Sequence, residues 1–166
     1  MKLILMRHAE AEPGDALHYP DDALRPLTAE GAKTQKKVAQ ALQRMGVMPQ
    51  RIFTSPRLRA RQTAEITAQV LGLNNALEES DALGDDCSPD SVLALLRDYA
   101  DKEIILCVGH EPDLSELAGA LLCSTYALRI KFVKSGVLGI RFEGEAGSGR
   151  GILCYFYRPR DLCALL

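Results

Sequence analysis

Short apolar runs alternate along the chain with longer segments in which apolar residues recur at helical spacing. Four runs bounded by polar residues predict strands, at 2–6, 51–54, 76–79 and 103–108. Four segments between or after these runs predict helices, at 28–45, from Ser55 to Gly72, from Ser88 onward and from Pro112 onward. Strands that alternate with helices are typical of parallel βαβ units.

Two serine-proline pairs mark predicted helix starts. Ser55-Pro56 and Ser88-Pro89 each place a favoured N-cap residue before a proline at the first helical position. Gly46 follows the first helical segment and is the kind of residue that ends a helix.

The last third of the chain has a different pattern. Residues 129–133, 137–142 and 152–157 predict strands, and the glycine-rich Gly144–Gly151 loop predicts that the last two form a hairpin. We therefore expect a three-layer α/β/α sandwich, with a mostly parallel sheet and an antiparallel edge strand. No linker or internal repeat is visible, which predicts a single domain over 1–166.

Composition excludes several classes of function. The formal net charge of -2 gives no electrostatic attraction to nucleic acid or anionic membranes. The chain has no tryptophan, and no apolar run is long enough to span a bilayer. We expect neither a nucleic-acid partner nor a membrane partner.

The cysteines indicate a reducing compartment. They number five and form no C-x-x-C pair, at positions Cys87, Cys107, Cys123, Cys154 and Cys163. This pattern argues against a disulfide framework and against a zinc site. We expect a cytoplasmic protein that needs no metal and no cofactor.

Chemically active residues follow three of the predicted strands. Arg7-His8 follows the first, Ser55 to Arg59 follows the second, and Gly109-His110 follows the clearest buried strand. Ligands of open α/β sheets bind beyond the carboxyl ends of strands, so these segments converge if the strands are parallel neighbours. Arginine forks, histidine donors and helix N-termini together suit a phosphate dianion.

Each of these segments has an ordinary explanation when taken alone. An Arg-His pair after a strand usually consists of exposed residues without a functional role. A glycine before a helix is usually part of a turn. Taken alone, Arg57, Arg59 and Arg61 are typical of a solvated helix face. His18 lies in a polar loop that we expect at the surface. The joint placement at three strand ends is what indicates a site.

Four ordered motifs resemble the histidine phosphatase superfamily, in its small phosphohistidine phosphatase (SixA) branch. They are Leu5-Met6-Arg7-His8-Ala9-Glu10, Arg25-Pro26-Leu27-Thr28-Ala29-Glu30-Gly31, the segment Ser55 to Ala64, and Val108-Gly109-His110-Glu111-Pro112. Ile152–Pro159 resembles the last strand and tail of that branch, so the resemblance covers nearly the whole chain. Ala9 departs from the glycine found in much of the superfamily. The resemblance implies a phosphoglycerate mutase-like fold.

The resemblance also implies roles for four residues. His8 is similar to the nucleophile that becomes phosphorylated, and Arg7 and Arg59 to the arginines that bind the phosphoryl oxygens. His110 is similar to the second histidine, which donates to the same oxygens. A nucleophilic histidine must be neutral, and neighbouring guanidinium groups disfavour its protonation.

A general acid for the leaving group is not identified by the sequence. The candidates lie in one segment, and we call them the acid candidates: Glu79, Asp81, Asp85 and Asp86. A phosphohistidine substrate would explain an absent acid, because imidazole leaves more easily than an alkoxide. The chain also has no insertion large enough for a cap domain, and an open site would admit a histidine of another protein.

The sequence therefore predicts a metal-independent phosphatase that dephosphorylates phosphohistidine on a signalling protein, such as a histidine phosphotransfer domain. One alternative is a phosphatase of small phosphate esters, such as sugar phosphates or nucleotides. Another is a non-catalytic phosphoprotein-binding module. A mutase is less favoured, because retaining the phosphoryl group usually requires a lidded site.

Overall fold

A six-stranded sheet forms the centre of the computed structural model, which describes residues 1–124 and 128–166. The strands are β1 (Lys2–Arg7), β2 (Arg51–Thr54), β3 (Leu77–Glu79), β4 (Ile104–Gly109), β5 (Val137–Arg141) and β6 (Ile152–Tyr157). The helices are α1 (Ala29–Arg44), α2 (Leu58–Leu71), α3 (Pro89–Asp98), α4 (Asp113–Leu122) and α5 (Pro159–Cys163).

The strands lie in the order β3-β2-β4-β1-β5-β6. β1, β4, β2 and β3 pair in parallel, whereas β5 is antiparallel to both of its neighbours. The mostly parallel sheet and the predicted β5–β6 hairpin at its edge are therefore confirmed. β2, β4 and β1 are adjacent and parallel, so their carboxyl ends meet at one edge of the sheet.

Helices cover both faces of this sheet. In β1, Leu3 and Leu5 pack in a core with α3 and α4, whereas Ile4 and Met6 pack in a second core with α1, α2 and α5. All four side chains are fully buried. A strand buried on both faces reads as a continuous apolar run, and the three-layer sandwich is confirmed.

α2 begins later than its serine-proline pair predicts. Its first residue is Leu58, its N-cap is Arg57, and no side chain caps it. The Ser55 hydroxyl instead lies against His110, as described below. By contrast, Ser88 caps α3 as predicted, by accepting from the Ser91 amide.

The predicted strand at 129–133 is wrong. Residues 128–133 have no regular secondary structure. The backbone of Phe132 bonds to side chains, since its carbonyl accepts from Arg7 and its amide donates to Glu111. These groups are therefore not available to a strand ladder.

The start of α1 lies very close to the segment that follows β1. The Thr28 side chain caps the helix by accepting from the Gly31 amide. A Cβ at Gly31 would lie 2.1 Å from the Glu10 carbonyl oxygen, so only glycine fits there. Within the described ranges, no helix combines the length and the apolar character needed to cross a membrane.

Candidate active site

The three predicted segments meet at the carboxyl edge of the sheet. Arg7 pairs in register with Gly109, and the His8 amide continues the ladder by donating to the Gly109 carbonyl at 3.0 Å. The Ser55 amide donates to the Val108 carbonyl at 3.0 Å. The predicted convergence of these strand ends is confirmed.

His8 is buried, and its backbone contact selects one tautomer. Its Nδ1 lies 2.7 Å from the Ala9 carbonyl oxygen. A carbonyl can only accept, so Nδ1 carries the proton and Nε2 keeps its lone pair. Burial, followed by the charges of Arg59 and Arg7, lowers the pKa of His8 from 6.5 to about 4. The ring is therefore neutral at physiological pH, with an unprotonated Nε2.

Ala9 fits this arrangement although it replaces the glycine of much of the superfamily. Its side chain is fully buried, and its amide donates to Thr63 Oγ1 at 3.0 Å. The Thr63 hydroxyl in turn donates to the Arg59 carbonyl at 2.7 Å. The turn of α2 that carries Arg59 is thus tied to the segment that carries His8.

Arg59 lies in the first turn of α2 and is only 4% exposed. Its Nη1 donates to the Asp22 carbonyl at 2.9 Å and lies 3.1 Å from the Asp22 carboxylate. Burial lowers the pKa of Arg59, and the Asp22 charge opposes that change. The guanidinium remains a cation held beside His8.

Arg7 ends β1 and is held by a different segment of the chain. Its Nη1 donates to the Phe132 carbonyl at 2.8 Å. The Phe132 amide donates to Glu111 Oε1 at 2.9 Å, and Glu111 also accepts from the Ser115 hydroxyl. The irregular 128–133 segment therefore serves to orient Arg7.

His110 follows β4 and faces His8. The two ring centroids are 5.1 Å apart, and His110 is 6% exposed. Burial, followed by the charge that His8 would carry, lowers the pKa of His110 to about 3. Its Nε2 lies 2.8 Å from Ser55 Oγ.

Three nitrogens in this group are buried without a hydrogen-bond partner. They are Arg7 Nε, Arg59 Nε and His110 Nδ1, three of only five such side-chain atoms in the described ranges. A buried polar group without a partner is costly, and in native structures it calls for a ligand or a water molecule. These three nitrogens are therefore candidate donors to a bound oxyanion.

Asp22 is a member of the site that the sequence analysis missed. Besides Arg59, its carboxylate accepts from Arg25 Nε at 2.8 Å and lies 3.7 Å from Arg57 Nη1. Partial burial raises the pKa of Asp22, but hydrogen bonding to Arg25 and the charge of Arg59 outweigh it and lower the pKa. The only signal in the sequence was an acidic residue shortly before the Arg25-Pro26 motif.

The acid candidates are all exposed. Asp85 accepts from Arg57 Nε at 3.0 Å, and Glu79 accepts from Arg61 Nη1 at 3.3 Å. Arg57 therefore belongs to a chain of charges that reaches Asp22, rather than to a purely solvated helix face. The contacts do not single out one acid.

One further carboxylate near the site has a shifted pKa. Asp113 is the first residue of α4, shortly after His110. Burial, followed by the negative charge of Glu116, raises the pKa of Asp113 above its usual 3.8. Asp113 is therefore a fifth carboxyl group near the site, which the sequence analysis did not consider beside the four acid candidates.

His18 and the question of a metal site are the remaining points of the sequence analysis. The His18 side chain is 77% exposed and contacts Asp15, as expected for a surface loop. In the part of the chain that the structure describes, no three His, Cys, Asp or Glu side chains are grouped so that they could hold a metal ion.

Known proteins resemble this chain in sequence and in structure. Residues 3–85 match the family model of the histidine phosphatase superfamily (branch 1). An uncharacterized protein of Picosynechococcus sp. is 39% identical over 145 residues, which are 85% of each chain. Phosphohistidine phosphatase SixA of Escherichia coli is 30% identical over 151 residues, 90% of this chain and 89% of SixA.

The fold agrees with these matches. The structure of protein histidine phosphatase SixA complexed with tungstate superposes with a TM-score of 0.84 and 27% identity. The superposition covers 98% of this chain and 99% of that one. This chain therefore belongs to the histidine phosphatase superfamily, branch 1, and has a SixA-like, phosphoglycerate mutase-like structure.

Proposed function

We propose that this chain is a phosphohistidine phosphatase that removes the phosphoryl group from a histidine of a signalling protein. Membership of the superfamily and the SixA-like structure support phosphatase activity. The observation that carries the proposal is the set of three buried, unpartnered nitrogens around a neutral His8. We propose His8, Arg7, Arg59 and His110 as its catalytic residues.

In the first step, the Nε2 lone pair of His8 attacks phosphorus, and the bond between phosphorus and the leaving nitrogen breaks with its electron pair going to that nitrogen. The leaving ring, protonated on its other nitrogen, departs as neutral imidazole. Arg7, Arg59 and His110 donate to the phosphoryl oxygens, where charge is held in the transition state. The His8 ring becomes cationic on phosphorylation, and its Nδ1–H bond to the Ala9 carbonyl stabilises that charge. Water then attacks phosphorus, His8 Nε2 leaves, and inorganic phosphate is released.

The surroundings of the site favour a protein-bound phosphohistidine. The Asp22 side chain, which contacts the buried Arg59, is 53% exposed, so solvent reaches the site at this carboxylate. Glu79 and Asp85 are both engaged by arginines. A phosphohistidine ring that is protonated on its other nitrogen leaves as neutral imidazole, so this substrate does not require an acid candidate or Asp113 to donate a proton. A histidine phosphotransfer domain is the kind of partner that would present such a group.

The cellular setting and the domain organisation are part of the same proposal. Cys87, Cys107, Cys154 and Cys163 are free thiols, which suits the reducing cytoplasm. We also propose that residues 1–166 act as one histidine phosphatase domain.

A comparison of rates tests this function. The kcat/KM for a chemically phosphorylated histidine phosphotransfer domain should exceed that for a panel of sugar phosphates and nucleotides by about 100-fold, the smallest usual contribution of a general acid. His8→Ala should abolish turnover of both substrate types while leaving the fold intact.

Three outcomes would contradict the proposal. Faster turnover of an ester would support the small-ester phosphatase instead. Binding of vanadate without turnover of any substrate would support a phosphoprotein-binding module. Retained turnover in His8→Ala would refute the assignment of the nucleophile.

A further inference from the structure

Ser55 is completely buried directly after β2, and its hydroxyl does not cap a helix. Ser55 Oγ lies 2.8 Å from His110 Nε2, and it accepts from the Arg57 amide at 3.3 Å. A serine hydroxyl has one proton to donate and two lone pairs. The Arg57 amide uses one of these lone pairs. In the contact with His110, either Ser55 donates its hydroxyl proton to Nε2, or Nε2–H donates to the second lone pair of Ser55.

The two directions differ in which groups they leave without a hydrogen-bond partner. If Nε2 donated to Ser55, Nδ1 would be a bare, buried acceptor, and the Ser55 proton would need another acceptor. If Ser55 donates to Nε2, its hydroxyl is satisfied and the proton of the neutral ring lies on Nδ1. Nδ1–H is then a buried donor without an acceptor, like Arg7 Nε and Arg59 Nε.

We infer that Ser55 is a positioning residue, whose hydroxyl donates to His110 Nε2 and so keeps the His110 proton on Nδ1, facing the phosphoryl oxygen. This inference rests on the proposed function for its catalytic consequence. In the other tautomer, the Nδ1 lone pair would face a phosphoryl oxygen and repel it.

The sheet supports this role, because it holds both partners rigidly. The Ser55 amide bonds to the Val108 carbonyl, two residues before His110, so the two side chains extend from neighbouring strands. Such a site on rigid elements keeps a donor within the narrow range of geometry that a transition state requires. His110 is also neutral in this site, and only a neutral imidazole has a choice of tautomer.

The tautomer can be measured directly on the unmodified chain. Nitrogen-15 NMR of the two ring nitrogens of His110, in the full-length protein at neutral pH, distinguishes a protonated nitrogen from a bare one. We expect a protonated Nδ1 and a bare Nε2, both without ligand and with inorganic phosphate added. A protonated Nε2 in the wild-type protein would overturn the inference.

A pair of serine variants tests the consequence. Ser55→Ala should increase the population of the Nε2–H form and lower kcat for an aryl phosphate about tenfold, as expected for one lost oriented hydrogen bond. Ser91→Ala is the matched control, because it removes a serine from the capping box of α3 and should lower stability without changing kcat or the His110 tautomer.

The two proposals fail in different ways. Wild-type kcat in Ser55→Ala, or an unchanged His110 tautomer in that variant, would overturn the role of Ser55. A wild-type chain that hydrolyses no phosphate would refute the proposed function, and the NMR result would still decide which atom of His110 carries the proton.

Discussion

Burial of His8 as a neutral ring makes the stability of the protein sensitive to acid. The pKa of His8 is about 4 in the folded chain and 6.5 for the free side chain. Between these values the unfolded chain binds a proton that the folded chain does not, so the free energy of unfolding falls as pH falls. The destabilisation begins near pH 6.5 and is complete below pH 4.

The size of this effect follows from the two pKa values. Lowering the pKa from 6.5 to about 4 corresponds to about 3 kcal/mol, at about 1.4 kcal/mol per pKa unit. About 2 kcal/mol of this is lost between pH 7 and pH 5, where His8 is protonated only in the unfolded chain. His110 contributes in the same direction, because its pKa is also lowered.

A non-titrating variant isolates the contribution of His8. In His8→Asn, the side-chain amide nitrogen can take the place of Nδ1 and donate to the Ala9 carbonyl, and it has no proton to gain. Urea unfolding at pH 7 and pH 5 should show that the wild type loses about 2 kcal/mol more than the variant. Equal losses in the two proteins would refute the claim that folding holds His8 in its neutral form.

Three further outcomes are expected. Asp22→Asn removes a carboxylate that competes for Arg59, so vanadate should inhibit about threefold more tightly, in line with an exposed ion pair; weaker inhibition would mean that Asp22 mainly orients the arginine. Gly31→Ala should lower the free energy of unfolding in urea by about 3 kcal/mol, because the new Cβ collides with the Glu10 carbonyl. Gly14→Ala should leave the free energy of unfolding unchanged, because no atom lies within 4 Å of the new Cβ. Equal stabilities of the two variants would contradict the close packing at Gly31. Amide substitution of each acid candidate should change the rate with a phosphohistidine protein less than about threefold, and a loss of about 100-fold at one position would identify a general acid.

The local sequence pattern predicted the structure correctly where one physical requirement, such as burial or helix capping, dominated a segment. The buried strands have continuous apolar runs because helices cover both faces, and β1, β2 and β4 lie where those runs predict. The Ser88 side chain bonds locally, to Ser91, so its capping signal is confirmed. The ends of parallel neighbours must meet, which is why the motif residues of the site could be placed together.

Local pattern failed where a distant residue competed for the same group. Ser55 has the composition of an N-cap, but His110, 55 positions away, takes its hydroxyl. The 129–133 segment has strand-like composition, but Arg7 and Glu111 take the backbone groups of Phe132. Asp22 reaches Arg59 across 37 positions, and no periodicity connects the two. All three exceptions concern residues that contact the proposed catalytic residues, where long-range contacts rather than local propensity decide the structure.

In the proposed mechanism, His8 Nε2 forms a covalent bond to phosphorus. The most direct measurement is to quench the reaction with an aryl phosphate in denaturant at alkaline pH, and to locate the phosphoryl group by mass spectrometry and phosphorus-31 NMR. We predict phosphohistidine at His8, substituted on Nε2, and none in the His8→Asn protein. Turnover without a phosphorylated His8, or a phosphoryl group on another residue, would contradict this mechanism.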